Sequence, residues 1–204
     1  MTEILIPGDL IEDKELLKNN RFYISENNKH YCTLVSLYNN RLIPLEGYWY
    51  PNIDETVVGI IKEVRNNVFE VDLSHFLRAI IINDFRNKLH FNVGDVIEAK
   101  VKAIENKKTI ILIYPRLLRD GMLIQTKPVK IPRIIGKNNT MINQISSFTK
   151  TSIIVGFNGL IYIKGANSSM AISTILRVEK EAHTKGLTEN IKQILQKELE
   201  LTEK

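Results

Sequence analysis

The chain has 204 residues, 44% hydrophobic and 25% charged, with a net charge of +5. That is the composition of a globular protein of one or two average domains, or three small ones. It excludes a membrane-spanning helix, since no apolar run approaches the roughly 20 residues needed. The single cysteine, Cys32, excludes an internal disulfide, and the N-terminus lacks the basic opening and long apolar core of a signal peptide. A cytoplasmic location is therefore expected. Four scattered histidines, His30, His75, His90 and His183, offer no metal-ligand spacing and read as surface or turn residues.

Residues 1–51 read as a small β domain. Ile4-Leu5-Ile6 is a short strand stopped by Pro7-Gly8. Arg21 to Ile24 and His30 to Leu37 alternate around the polar turn at 26–29, which predicts a hairpin. Arg41 to Leu45 is a further strand. The aromatic run Tyr48-Trp49-Tyr50 before Pro51 reads as the cover of a small β core or as a protein interface.

Residues 52–117 change rhythm and supply five short strands. These are Thr56 to Val64, Val68 to Leu73, Ala79 to Ile82, Val96 to Ile104 and Thr109 to Tyr114. The stretch 83–90 reads as a loop or helical turn. Five strands in this length suit a small closed barrel of the OB type.

Residues 118–204 mix helix and strand. Met122 to Val129 is a strand that Pro128 places near an edge. A Pro-opened helix ends at Ile135, Gly136 stops it, and Thr140 caps a second helix running to Phe148. Ser152 to Phe157 and Leu160 to Lys164 are strands joined across Asn158-Gly159, a strong hairpin signal. Ser168 caps a helix with Ile172, Ile175, Leu176 and Val178 on its apolar side. Leu187 to Leu201 is a last amphipathic helix, with Ile191, Ile194, Leu195 and Leu199 on one face.

The loop after Gly136, Lys137-Asn138-Asn139, is cationic and opens a helix whose free N–H groups can meet a phosphate. Alone it is equally an ordinary connection between two helices. Its flanks favour the phosphate reading. From Gly121 to Val178 there are seven cations and no acid, whereas residues 1–120 hold 16 basic and 17 acidic residues. A fold needs no such purge, and attraction to a polyanion explains it.

The loop resembles the Gly-x-x-Gly clamp of KH domains, with Asn139 in place of the second glycine. Asn is the next best residue for positive φ. The order β-α-α-β-β-α is that of a KH domain, and the barrel before it resembles an S1 domain. The whole chain resembles the archaeal-type RNA-binding cap subunit of the exosome. The resemblance rests on Pro7-Gly8-Asp9, on Pro44-Leu45-Glu46-Gly47-Tyr48 with Tyr50-Pro51, and on Val57-Val58-Gly59-Ile60-Ile61 with Val71-Asp72. It continues through Gly94-Asp95, Arg133-Ile134-Ile135-Gly136-Lys137, Thr140-Met141-Ile142 and Gly156-Phe157-Asn158-Gly159.

The resemblance implies a multidomain β plus α/β protein. Its parts are an N-terminal β domain at 1–51 for ring attachment, an S1-type five-stranded OB barrel at 52–117, and a KH domain with an extra C-terminal helix at 118–204. It also implies a non-catalytic subunit without cofactor or metal. Three copies would sit on a hexameric phosphorolytic ring and feed it the 3′ end of single-stranded RNA. Candidate RNA contacts are Arg133, Gly136, Lys137, Asn138 and Asn139 in the KH part. In the barrel they are Lys62, Arg65, Phe69, Arg78, Lys107 and Lys108, with cationic tracking of the backbone expected over base stacking. The competing expectations are a stand-alone S1/KH RNA-binding protein and a structural scaffold of an RNA-processing complex.

Overall fold

The first unit, residues 1–48, is built of short antiparallel pairs. The computed structural model describes residues 3–11, 23–27, 29–38, 42–83, 89–106, 108–182, 186–187, 189–193 and 196. β1 (Glu3–Leu5), β4 (Ser36–Tyr38) and β5 (Leu42–Pro44) form one sheet in the order β1-β4-β5, while β2 (Tyr23–Glu26) and β3 (Lys29–Cys32) form a hairpin. The strand expected over His30 to Leu37 is thus two strands. The break lies at Leu34, whose carbonyl accepts bonds from the Cys32 thiol and the Ser36 hydroxyl (2.8 and 2.9 Å). Leu5, Ile11 and Cys32 make a small core. Arg21 and Arg41 lie outside the described residues.

A second unit runs from Trp49 to Lys204. Its first half is a closed barrel of β6 (Thr56–Arg65), β7 (Val68–Asp72), β8 (Arg78–Ile82), β9 (Val96–Glu105) and β10 (Thr109–Leu118), in the order β10-β8-β7-β6-β9. β9 and β10 pair antiparallel, and β8 and β10 pair parallel, which closes the cylinder. Alternation does the sorting: in β9, Ile97, Ala99 and Val101 point inward and Lys100 and Lys102 outward. Trp49 joins this core at 5% exposure, while Tyr48 and Tyr50 are exposed, so the aromatic run is divided between inside and outside. The Trp49 indole donates to Glu55 (3.0 Å), whose carboxylate also accepts the Asn52 N–H (3.1 Å). That pays the desolvation cost of the buried acid.

The second half reads β11 (Met122–Gln125), α1 (Ile131–Ile135), α2 (Thr140–Thr149), β12 (Thr151–Val155), β13 (Leu160–Gly165) and α3 (Ser168–Lys180), a β-α-α-β-β-α order. The sheet is antiparallel, ordered β11-β13-β12. β11 is an edge strand but stops before Pro128, which opens a 3-10 turn into α1. Asn139 and Asn167, not Thr140 and Ser168, stand at the helix starts. The two hydroxyls instead donate backwards, to Lys137 O (2.8 Å) and Gly165 O (2.5 Å). The buried side of α3 is Ala171, Thr174, Ile175 and Val178. Leu176, expected inside, is 37% exposed because it falls about 100° off that stripe. Leu187 and Ile191 are fully buried against the same core. Ile194, Leu195 and Leu199 lie outside the described residues.

Candidate nucleic-acid interface

The helix–loop–helix is set by backbone geometry that only certain residues reach. Gly136 ends α1 at φ 75°, ψ 172°, a region essentially reserved for glycine. A Cβ there would come within 2.8 Å of Met141 N and Cβ. Asn138 (φ 51°, ψ 37°) and Asn139 (φ 62°, ψ 17°) are left-handed, a conformation Asn tolerates. The two glycine positions of the motif therefore make different demands. The first excludes any side chain; the second accepts Asn. Lys137, Asn138 and Asn139 are exposed, and Arg133 is half-buried on α1. Gly136 to Asn139 are contiguous, and Arg133 lies three residues before them on α1.

The acid-free window is less cationic in space than in sequence. Lys164 meets Asp120 (3.3 Å) and Arg177 meets Glu181 (2.9 Å), acids just outside the window. Lys130 is buried at 9% exposure. Lys137 and Lys150 remain exposed, at the two ends of α2.

On the barrel, Lys62 and Arg65 (β6), Arg78 (β8) and Lys108 face outward. Register brings Arg78 beside Lys108, whose carbonyl accepts the Arg78 N–H (3.2 Å). Two of these cations are held by acids: Arg65 grips Glu63 through two bonds (2.7 and 2.8 Å), and Arg78 meets Glu70 at 3.1 Å. The Arg65 bond holds the Glu63 carboxyl below the usual carboxylate range, and the charges of Arg78 and Lys62 act in the same direction. The face is thus a mixed-sign lattice, in which exposed pairs contribute little to stability. Phe69 is a correction. It is 4% exposed inside the barrel, edge-on to Phe91 at 5.3 Å, and offers no face to a base. Its inward turn follows from alternation with the half-buried Val68 and Glu70 on β7. Lys107 lies outside the described residues.

Sequence reasoning missed how the barrel and the helical half are joined. Asn158 lies between Gly156 and Leu160 in a three-residue hairpin loop and has negative φ, so it is not a tight two-residue Asn-Gly turn. Its side chain instead enters the barrel wall. Nδ2 donates to Val58 O (2.8 Å) and Leu73 O (2.9 Å), and Oδ1 accepts from Val58 N (3.2 Å). The Phe157 N–H adds a bond to Thr56 O (2.9 Å), and its ring touches both cores. Val58, Leu118, Leu160 and Tyr162 form an apolar cluster beneath, and the Tyr162 hydroxyl donates to Arg119 O (2.6 Å). Gly156 permits this approach: a Cβ there would lie 2.7 Å from Val58 N. The side of the hairpin loop in contact with the barrel was signalled only by Gly-x-Asn-Gly.

His75 is also more than a turn residue. Its Nδ1 accepts the Leu77 N–H (3.1 Å), its ring meets Trp49 edge-on at 5.4 Å, and burial pushes its pKa down. Among the described residues no group of three His, Cys, Asp or Glu could hold a metal, and no helix is long and apolar enough to cross a membrane.

Comparison with known proteins gives the following. No family model matches the chain. It is 35% identical to exosome complex component Rrp4 of Pyrococcus horikoshii over 228 aligned positions, covering 99% of this chain and 86% of the relative. It is 36% identical to exosome complex component Rrp4 of Picrophilus torridus, covering 96% and 93%. Among solved structures it is similar to a protein described as an exosome complex RNA-binding protein. The TM-score is 0.68 at 25% identity, over 76% of this chain and 99% of that one.

Proposed function

Since this chain belongs to the Rrp4 family of exosome complex components, we propose that it is a non-catalytic cap subunit of a cytoplasmic exosome. It captures single-stranded RNA and passes the 3′ end to a hexameric phosphorolytic ring, three copies to a ring. Residues 1–51 attach to the ring, and the barrel and KH domain receive the RNA. The observation that carries the RNA part is the loop Gly136–Asn139. Its three positive-φ residues expose backbone beside Lys137, within a stretch that carries cations and no acids. Positively charged surfaces track a single-stranded backbone without sequence preference. Arg133, Gly136, Lys137, Asn138 and Asn139 form the KH contact, and Lys62, Arg65, Arg78, Lys107 and Lys108 guide the strand electrostatically.

The test is phosphorolysis of a long unstructured RNA by the ring subunits, with and without this chain, and by this chain alone. The chain alone is expected to release no product in phosphate or divalent metal. Added to the ring, it is expected to lower the RNA concentration for half-maximal rate about tenfold, the effect of ~1.4 kcal/mol of added binding. Turnover by the chain alone, or a ring indifferent to it, overturns the reading. RNA binding without any effect on the ring would favour a stand-alone RNA-binding protein.

A further inference from the structure

The β9–β10 ladder carries two bulges close together. Ile111 faces Ala103 but Leu112 faces Val101, which leaves Lys102 as an extra residue in β9. Ile113 faces Lys100 but Arg116 faces Glu98, which leaves an extra residue in β10 at Tyr114-Pro115. Bulges re-aim side chains and recur beside functional sites. Tyr114 is left-handed at φ 52°, immediately before a proline that further restricts it. An aromatic residue held there costs backbone energy that burial normally offsets. Tyr114 gains no such offset, being 78% exposed. Beside it lies a groove of about 420 Å³, lined among others by Ile82, Leu89, Lys102, Ile113 and Pro115. Lys100 is exposed on the same outer face, and the nearby Glu98 is engaged by Arg116 (2.8 Å).

We propose that Tyr114 is a stacking platform for one base of single-stranded RNA, with Lys100 and Lys102 holding the adjoining phosphates. The proposal rests on the RNA-capture reading and adds a barrel subsite separate from the KH loop. An exposed ring flanked by lysines is the composition of a strand-tracking surface. Protein interfaces, in contrast, are depleted in lysine. Strain at an exposed, unburied position points to function.

The test uses the full chain with a fluorescent oligouridine at fixed salt, and with a 5-iodouridine oligonucleotide for photocrosslinking and peptide mapping. The adduct is expected at Tyr114. Tyr114→Ala is expected to weaken binding about 5- to 150-fold, the range for losing one stacked base. Tyr114→Phe keeps the affinity. Tyr114→Gly, which relieves the left-handed strain, loses affinity while its Tm holds or rises. RNA binding with adducts elsewhere and Tyr114→Ala at wild-type affinity overturns this subsite alone. Failure of the folded wild-type chain to bind RNA overturns the subsite and the RNA-capture reading together. Loss of ring assembly in Tyr114→Ala with RNA affinity intact overturns the subsite in favour of a protein contact.

Discussion

Asn158→Ala is expected to lower the stability of the 49–204 unit by about 3 kcal/mol. The residue is 3% exposed, and its side chain makes three bonds across the junction, to Val58 N, Val58 O and Leu73 O. Truncation strands one N–H and two carbonyls in a buried seam, at roughly 1–3 kcal/mol for each group left unsatisfied. Water entering the vacated space recovers part of that. For a unit of this size the loss corresponds to a fall in Tm of roughly 6–12 °C. Asn158→Asp is expected to be at least as harmful, because it keeps the acceptor for Val58 N but turns a carboxylate toward two carbonyls. Thermal unfolding followed by circular dichroism reads both. A Tm for Asn158→Ala within about 2 °C of wild type would mean that the junction is held by the apolar cluster alone.

The second large effect concerns the loop. Asn138→Asp with Asn139→Asp is expected to cut RNA affinity about 30- to 150-fold at low salt while leaving Tm nearly unchanged. Both asparagines are exposed and left-handed, and Asp tolerates that conformation as Asn does, so the fold is not asked to move. The change places two negative charges where a phosphate is proposed to sit. Repulsion between like charges in a close interface costs on the order of 2–3 kcal/mol, which is this fold-change. Salt is expected to narrow the gap between the double variant and wild type, as screening shortens the range of the repulsion. Titration of a fluorescent oligonucleotide at several salt concentrations measures it. Equal affinities at low salt would remove the loop from the RNA path.

The elements were legible where the local pattern was also the tertiary one. The barrel strands alternate, so their faces could be read from the chain, and the helix stop at Gly136 coincides with a conformation no other residue adopts. Legibility failed where a residue's role is fixed by a distant partner. Phe69 was a candidate only through the resemblance to S1 domains, and the barrel closes over it. Asn158-Gly159 looked like a self-sufficient turn, yet the Asn side chain serves the backbone of residues 58 and 73. The acid-free window counted acids along the chain, whereas Asp120 and Glu181 reach its cations through space. Tyr114 read as the end of a strand, because a bulge is set by register with a second strand and leaves no local mark beyond the following proline.

The central claim is membership of a cap on a nuclease ring, and the mass of the native complex tests it most directly. The tagged chain, expressed in cells that hold the ring subunits, would be purified gently and weighed by native mass spectrometry. The expected result is one assembly with three copies of this 23.5 kDa chain on six ring subunits, gaining mass when single-stranded RNA is added. A chain recovered only as a monomer, or bound to RNA without any ring subunit, would contradict the account.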